Sequence, residues 1–132
     1  MLFEKTYGID LGSSSVKVYS MIRNKSYIEK NMIAAKGRKI IAVGNSDISV
    51  SSPMAFGMIA NLELQEIVLY SMMKKIDKIL GIGSVMYFAV PLDMTAIEKR
   101  AYYQVANGHW LRKNRVYMVE APIADAIAMG VD

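Results

Sequence analysis

The residues with the clearest chemical potential lie in the stretch YGIDLGSSSVKVYSM, Tyr7 to Met21. Asp10 stands in the middle of an apolar, strand-like run. The turn that follows is made of four small hydrogen-bonding residues: Gly12, Ser13, Ser14 and Ser15. A plain hairpin needs only a short Asn-Gly or glycine-rich turn, whereas binding a polyphosphate requires many exposed backbone N–H groups and hydroxyls. The stretch therefore indicates either a phosphate-binding loop or a serine-rich hairpin turn without a ligand.

The composition is typical of one globular domain. The chain has 132 residues, 53% of them apolar, which is enough for a buried core and excludes a disordered chain. The longest apolar stretch, around Val85 to Leu92, is too short to span a bilayer, and the start MLFEKTYG does not have the apolar core of a signal peptide. The absence of cysteine excludes thiolate chemistry and sulfur-bound zinc. We therefore expect a cytoplasmic domain with no direct membrane segment.

The net charge of +4 comes from two basic clusters. They lie at Arg23 to Lys39 and at Arg112 to Arg115. Neither cluster is interleaved with aromatic residues in a recognisable nucleic-acid-binding motif. We interpret them as a solvated edge whose lysines discourage sheet-to-sheet pairing, and we expect no nucleic-acid partner.

Short strands dominate the first part of the chain. Apolar runs predict strands over Thr6 to Leu11, Val16 to Ile22 and Tyr27 to Ala35. The turns between them are short, so neighbouring strands should run antiparallel. A further short strand is predicted within Gly37 to Asp47, and the polar, serine-rich passage after it predicts irregular structure.

Helices alternate with strands in the second part. Apolar residues at three- and four-residue spacing predict a helix over Leu62 to Leu80. The run SVMYFAVP predicts a strand covered on both faces. Thr95 and Glu98 form a capping box that opens a second helix, which should stop near Asn107. Two further elements follow: a strand over Arg115 to Val119 and a helix over Ala124 to Met129.

This order of elements predicts an α/β domain. Three strands joined by short turns form an antiparallel meander, and strands that alternate with helices pair in parallel with right-handed crossovers. The product is a mixed five-stranded sheet with flanking helices. Ligands in such sheets bind at the carboxyl ends of the strands. The turn after Leu11 and the loop after Val119 are therefore the expected positions of a site.

Several separated motifs resemble the first half of an actin-fold ATPase, and the nearest likeness is to the MreB group. GIDLGSSSVKV resembles the first phosphate loop of the family, and IIAVGNSD resembles its AVG turn. GMIANLELQEIVLYSMMKKI resembles the G-x-I-x-D-x-x-x-x-E segment, although Asn61 stands where aspartate is usual. VPLDMTAIEKRAYYQVANG and VYMVEAPIADAIAMGVD resemble the next helix and the final strand-turn-helix. Together the motifs cover nearly the whole chain in the right order.

The resemblance implies a ribonuclease H-like lobe of an actin-like ATPase. Residues 1–132 would form a single N-terminal lobe, with a reduced small-subdomain insertion at about residues 36–57. DnaK-type chaperones and sugar kinases share this fold, so a fragment of one of their relatives is an alternative. The first phosphate loop alone would suit all three groups.

The resemblance also implies roles for the residues of the first stretch. Asp10 would reach the magnesium ion of ATP through water, and the backbone N–H groups of Gly12 to Ser15 would hold the β- and γ-phosphates. Lys17 stands where actin-type proteins carry a phosphate-contacting lysine; the other interpretation is an outward-facing strand lysine. The set is chemically coherent because magnesium prefers oxygen ligands and an ammonium group offsets phosphate charge.

The motif Val119-Glu120-Ala121-Pro122 departs from the family at its catalytic position. The family has E-E-P, and the glutamate directly before the proline orients the attacking water, as phosphoryl transfer requires of some residue. Ala121 occupies that position here and cannot accept a hydrogen bond from water. Glu120 should point to the other side of the strand, unless the turn shifts by one residue and Glu120 substitutes. We expect this chain alone to be inactive in hydrolysis.

The sequence ends before the positions of the family's second phosphate loop and second lobe. Since the nucleotide of an actin-fold protein lies between two lobes, this chain would supply only one wall of the site, and ATP and magnesium would bind weakly. The leading interpretation is the N-terminal lobe of a rod-shape-determining, actin-like cytoskeletal protein. The alternative is a non-enzymatic module that binds actin-like subunits or a separate second lobe. Self-association is expected in either case.

Overall fold

The computed structural model describes residues 5–36, 39–43, 50–51, 53–55, 58–77, 83–108 and 113–120. The strands in these ranges are β1 Lys5–Leu11, β2 Ser15–Ser20, β3 Lys25–Lys30, β4 Ile33–Lys36, β5 Lys39–Val43, β6 Val50–Ser51, β7 Met54–Ala55, β8 Met58–Ile59, β9 Ser84–Val90 and β10 Arg115–Glu120. The helices there are α1 Leu62–Ile76 and α2 Ala96–Asn107. The helix predicted over Ala124 to Met129 lies outside the described residues.

The main sheet of the described residues has five strands in the order β10-β9-β1-β2-β3. Strand β1 pairs antiparallel with β2, and β2 pairs antiparallel with β3. On the other side β1 pairs parallel with β9, and β9 pairs parallel with β10. The predicted mixed sheet with its three-strand antiparallel meander is therefore confirmed.

The two helices lie on one face of this sheet because the strands alternate between apolar and polar residues. On β1, Tyr7, Ile9 and Leu11 are buried in the core, while Asp10 between them is exposed. Successive side chains of a strand point to opposite faces. The sheet therefore has a core face toward the helices and a second face, named the open face, that no helix of the described residues covers. The core consists of Tyr7, Ile9, Leu11, Val16, Val18, Met54, Val68, Leu69, Met72, Met73, Ile76, Met86, Phe88, Val90, Tyr102, Val105 and Ala106.

Helix α2 begins as its capping box predicts. The Thr95 hydroxyl accepts a hydrogen bond from the Glu98 N–H at 3.2 Å, and the Glu98 carboxylate accepts one from the Thr95 N–H at 3.2 Å. Two backbone donors at the helix start are thereby satisfied. The predicted start of α2 and its end near Asn107 are confirmed.

Helix α1 ends earlier than the prediction of Leu80. It stops at Ile76, and the next residue, Asp77, has an extended backbone with φ −134° and ψ 113°. The Asp77 side chain turns into the structure and accepts hydrogen bonds from Tyr7 and Arg23. Apolar periodicity could not reveal these contacts of Asp77, because Tyr7 and Arg23 lie 70 and 54 positions away in the sequence.

The single strand predicted over Tyr27 to Ala35 is in fact two strands that belong to different sheets. Strand β3 ends at Lys30, and β4 starts at Ile33 in a three-stranded sheet with β5 and β6. Asn31 lies at the break and is fully buried. Strands β7 and β8 form a separate hairpin. Strands β5, β6 and β7 fall within the insertion predicted at about residues 36–57, whereas β4 and β8 flank it. The assignment of the insertion as a small subdomain stays a prediction.

Strand β9 was predicted to be covered on both faces, and this is wrong for the described residues. Met86 and Phe88 are buried in the core, but the Tyr87 side chain between them is 42% exposed. A continuous apolar run does not distinguish a doubly covered strand from one whose outer face carries an exposed aromatic ring.

Candidate functional site

Three residues of neighbouring strands form a row on the open face near the carboxyl ends of β1, β9 and β10. Asp10 is paired with Ala89, and Ala89 is paired with Val119. Because these three strands are parallel, the residues that follow them lie at the same edge of the sheet. The structure thus brings the turn after Leu11 and the end of β10 to one edge, as the sequence predicts.

Asp10 and Lys17 lie opposite each other on the two strands that flank the turn Gly12 to Ser15, called the serine turn. The pairing register places Asp10 of β1 directly across from Lys17 of β2, and both side chains are exposed. Directly paired residues project from the same face of a sheet. An acidic and a basic side chain therefore project from the same face of the sheet at the base of the turn.

The turn itself is closed by a short backbone contact. The Gly12 N–H donates a hydrogen bond to the Ser15 carbonyl at 2.8 Å. A Cβ atom on residue 12 would lie 3.0 Å from that same carbonyl oxygen, which is a tight contact, so a larger residue would require a small shift of the turn. The side chains of Ser13 and Ser14 are exposed at the tip of the turn, and Ser15 is half-buried.

Asn31 supports this turn from its buried side. Its backbone N–H donates to the Ser14 carbonyl at 3.0 Å, and its side-chain Nδ2 donates to the Gly12 carbonyl at 2.8 Å. One buried asparagine thus holds two carbonyl groups of the turn. The sequence did not single out Asn31 because it lay inside a run interpreted as one continuous strand.

Gln65 of α1 fixes Asn31 in turn. Asn31 Nδ2 donates to Gln65 Oε1 at 2.9 Å, and Gln65 Nε2 donates to Asn31 Oδ1 at 3.0 Å. Neither side chain is exposed to solvent. Gln65 was also missed, although a signal exists: it is a polar residue at a position of the apolar stripe of α1. A buried amide at such a position needs hydrogen-bond partners. The partner of Gln65 is Asn31, which in turn bonds the Gly12 carbonyl of the serine turn.

Helix α1 is positioned at its start by Asn61, where the family motif has aspartate. The Asn61 side chain accepts a hydrogen bond from the Leu64 N–H at 3.1 Å, so it acts as the N-cap. Asparagine and aspartate cap helices about equally well. The departure therefore leaves the local structure of the helix start intact.

Tyr102 of α2 packs behind the site in the core. Its ring meets Phe88 edge-on, with 5.5 Å between the ring centroids and an angle of 73° between the planes. Burial raises the pKa of Tyr102 above its usual value, and the negative charges of Asp10 and Glu98 add to this effect. Tyr102 therefore stays protonated and acts as an apolar support.

Glu120 lies on the face of the sheet opposite to Asp10. It is paired with Val90, which is buried in the core, whereas Val119 is paired with Ala89 in the row that contains Asp10. The Glu120 side chain is exposed. Ala121, at the position expected for catalysis, lies outside the described residues.

The described residues contain no cluster of three or more His, Cys, Asp or Glu side chains that could hold a metal ion. Asp10 is a single exposed carboxylate beside Lys17. This donor set fits a magnesium ion that is held mainly by phosphate oxygens and water, which is how magnesium usually binds with nucleotides. It does not fit a metal site made of protein ligands alone.

Comparison with solved structures defines the class of fold. MreB5 of Spiroplasma citri bound to ADP superimposes with a TM-score of 0.80 at 22% sequence identity, over 98% of this chain and 42% of that chain. The same protein bound to AMPPNP gives 0.82 at 20% identity, over 100% and 43%. A MamK double helical filament gives 0.79 at 19% identity, over 97% and 44%. The domain therefore has an actin-like fold and spans less than half the length of these structures.

The family follows from the sequence. The model of the MreB/Mbl protein family matches residues 4–132, and the chain belongs to that family. This favours the MreB interpretation over the chaperone and sugar-kinase alternatives. No curated protein matches the sequence significantly. In the part of the chain that the structure describes, no helix is long and apolar enough to cross a membrane.

Proposed function

We propose that this chain supplies one wall of an ATP and magnesium site in an MreB-like cytoskeletal protein of the cytoplasm. The observation that carries the proposal is the position of the serine turn: it lies at the carboxyl edge of the sheet, beside Asp10 and Lys17, and is held from behind by Asn31. Solved relatives carry ADP or AMPPNP, which supports the choice of ligand.

Each residue of the site then has a role. The backbone N–H groups of Ser13 to Ser15 bind the β- and γ-phosphates, and a serine hydroxyl adds a hydrogen bond. Gly12 contributes by closing the turn, because its own N–H donates to the Ser15 carbonyl. Lys17 offsets the phosphate charge as a point cation. Asp10 holds the magnesium ion through water, and the ion supplies charge neutralisation when it is bound.

We further propose that this wall binds nucleotide without hydrolysing it. Glu120 lies on the face opposite to Asp10, which supports the interpretation that it does not orient the attacking water. By register with Pro122, the position that would do so carries Ala121, which has no hydrogen-bonding side chain.

The proposal is tested by following thermal unfolding of the chain with ATP and magnesium. A ligand that binds only the folded state stabilises it by about 2.7 kcal/mol at a hundredfold excess over its Kd. We expect a rise in Tm only at millimolar nucleotide, and a larger one with magnesium present. Unchanged Tm values at these concentrations would contradict the proposal. AMP, which has no β- or γ-phosphate, is the matched control ligand.

The open face of the sheet favours a second candidate function, a non-enzymatic module that binds protein. Tyr87 and Tyr117 stack on this face with 5.1 Å between ring centroids, and each side chain is more than 40% exposed. Tyr87 lines a groove of about 610 Å³ that also includes Ile28 and reaches Asp10 and Lys17 of the proposed nucleotide site. Exposed apolar surface of this kind is typical of interaction sites.

The partners proposed for this module are actin-like subunits, a second lobe in trans, or further copies of the chain. The MamK structure is a filament, which supports self-association as the general behaviour. Sedimentation with and without an MreB-like partner separates the two functions. Nucleotide-independent co-sedimentation that is lost in Tyr87→Ser would favour the binding module, whereas a dependence on ATP would favour the nucleotide-linked function.

A further inference from the structure

We infer that the Asn31–Gln65 amide pair is a positioning device that sets the backbone orientation of the serine turn and thereby its affinity for phosphate. The inference rests on the proposed function of the turn. It concerns residues that would not touch the nucleotide, since both side chains are completely buried.

The geometry of a peptide unit shows how the pair acts. In a trans peptide the C=O and the following N–H point in opposite directions, and the described residues contain no cis peptide bond. Asn31 Nδ2 draws the Gly12 carbonyl toward the core, so the N–H of Ser13 in the same peptide unit is directed away from it. The Asn31 backbone N–H holds the Ser14 carbonyl, so the N–H of Ser15 in that peptide unit points away from Asn31.

Gln65 makes this orientation rigid. An asparagine amide alone can rotate about its last bond and exchange its oxygen and nitrogen positions. If the Asn31 amide turned over alone, it would lose the two reciprocal bonds with Gln65, at 2.9 Å and 3.0 Å. If both amides turned over together, Asn31 Oδ1 would face the Gly12 carbonyl, and two acceptors cannot bond each other. Because a buried amide that loses a partner is destabilised, the alternative orientation is strongly disfavoured. Helix α1 is thereby connected to the phosphate-binding turn through two side chains.

The test compares a variant of each member of the pair with a control variant of another buried asparagine. Gln65→Leu removes the fixing amide at similar volume, and Asn31→Ala removes the side chain that holds Gly12. Asn114→Ala is the control, because Asn114 also bonds two backbone groups: its Oδ1 accepts from the Ser84 N–H at 2.9 Å, and its Nδ2 donates to the Ala106 carbonyl at 2.7 Å. It lies at the opposite end of β9.

ATP with magnesium, and inorganic triphosphate, are titrated into each folded variant and followed by NMR. We expect Gln65→Leu and Asn31→Ala to bind about tenfold more weakly than the wild type, which corresponds to about 1.4 kcal/mol. The double variant should be no weaker than Asn31→Ala, because both changes remove one connection. Asn114→Ala should lower Tm but keep its affinity within about twofold. Equal affinity of wild type and Gln65→Leu, or equal weakening in Asn114→Ala, would overturn the inference.

A second measurement keeps the inference separate from the proposed function. If the wild type binds no phosphate compound, the proposed function fails, and the orientation of the turn is then judged without ligand. Hydrogen exchange of the Gly12 N–H, which is bonded to Ser15, should accelerate at least about tenfold in Gln65→Leu and stay unchanged in Asn114→Ala. An unchanged Gly12 exchange rate in Gln65→Leu would reject the positioning role. If Asn31→Ala does not fold, Gln65→Leu decides the result.

Discussion

Asp10 and Lys17 face each other across β1 and β2 at the base of the serine turn, and both side chains project from the open face of the sheet. The two strands are held together above them by the bond from the Gly12 N–H to the Ser15 carbonyl. The turn therefore fixes the backbone positions from which an acidic and a basic side chain project. A magnesium ion and the phosphates it accompanies carry the complementary charges, so the two side chains should affect binding differently.

Asp10→Asn should remove the magnesium dependence of nucleotide binding. The amide keeps the shape of the side chain but loses the negative charge that attracts a hard cation. We expect the Tm increase with ATP to be the same with and without magnesium in this variant, while the wild type shows a larger increase with magnesium. Thermal unfolding in the two buffers checks this, and a preserved magnesium effect would argue against Asp10 as the magnesium residue.

Lys17→Met should weaken ATP binding at every magnesium concentration. Methionine preserves the apolar stem of lysine but removes the cation that offsets phosphate charge. An affinity loss of about three- to tenfold is expected, in line with one exposed charge contact of about 1 kcal/mol. Lys25→Met is the matched control, because Lys25 is an exposed strand lysine at the other end of the meander. Equal losses in the two variants would indicate a general charge effect.

Gly12→Ala should weaken phosphate binding with little effect on the core. The added methyl group would lie 3.0 Å from the Ser15 carbonyl, so the turn has to widen and its N–H groups move. Gly8→Ala is the control, because its methyl group would meet only Tyr19 Cβ at 3.9 Å, an ordinary contact. ATP titration of both variants checks the expectation. Unaltered affinity in Gly12→Ala would show that the turn tolerates the shift or does not bind phosphate.

Glu120→Gln should leave phosphate release unchanged. Glu120 lies on the face opposite to the row that contains Asp10, so its carboxylate is on the wrong side to orient water at a nucleotide beside Asp10. We expect no appreciable release from the wild type, and the same background from Glu120→Gln. The measurement is a phosphate-release assay with a second lobe supplied in trans. Release that depends on Glu120 would mean that the turn after β10 is shifted by one residue.

The fold was largely predictable because its signals are local. The antiparallel order of β1, β2 and β3 follows from short turns, and the start of α2 follows from the Thr95–Glu98 capping box. Each of these depends on residues within a few positions of one another. Sequence reasoning also placed the serine turn and the end of β10 at one edge of the sheet, since parallel strands have their carboxyl ends at the same edge.

The support of the site was not predictable in the same way because it depends on contacts between distant residues. Asn31 and Gln65 are 34 positions apart, and only the packing of α1 against the meander brings them together. The run that contains Asn31 satisfies strand periodicity on both sides of the break, so periodicity alone joins β3 to β4. The sign available in the sequence was Gln65, a polar residue within the apolar stripe of α1, which indicates that this helix has a polar partner.

Asp77, directly after α1, forms a second long-range network of hydrogen bonds and ion pairs, which includes residues of β1. It accepts hydrogen bonds from Arg23 Nε at 3.2 Å and from the Tyr7 hydroxyl, and Lys5 lies 3.6 Å from its carboxylate. Burial by itself would raise the pKa of Asp77, but the hydrogen bonds from Tyr7 and Arg23 and the charge of Lys5 outweigh it, so its pKa lies below the usual value. Burial and the neighbouring Asp77 charge raise the pKa of Tyr7, which therefore stays a donor.

This network should make the chain less stable in acid. Because the pKa of Asp77 is lower in the folded than in the unfolded chain, its stabilising contribution is complete above the unfolded value of about 3.9 and is lost as pH falls through the lower folded value. Asp77→Asn should cost about 1 to 3 kcal/mol at pH 7, as expected for buried hydrogen bonds to a charged group. Urea unfolding at pH 7, 5 and 2.5 should show the stability difference between wild type and Asp77→Asn shrinking below pH 4.

The control variant is Lys75→Met, which removes the exposed ion pair between Lys75 and Glu29, 3.0 Å apart. It should change stability by less than about 1 kcal/mol at each pH. A difference between wild type and Asp77→Asn that is the same at pH 7 and pH 2.5 would show that the lost stability comes from packing and not from the ionised carboxylate.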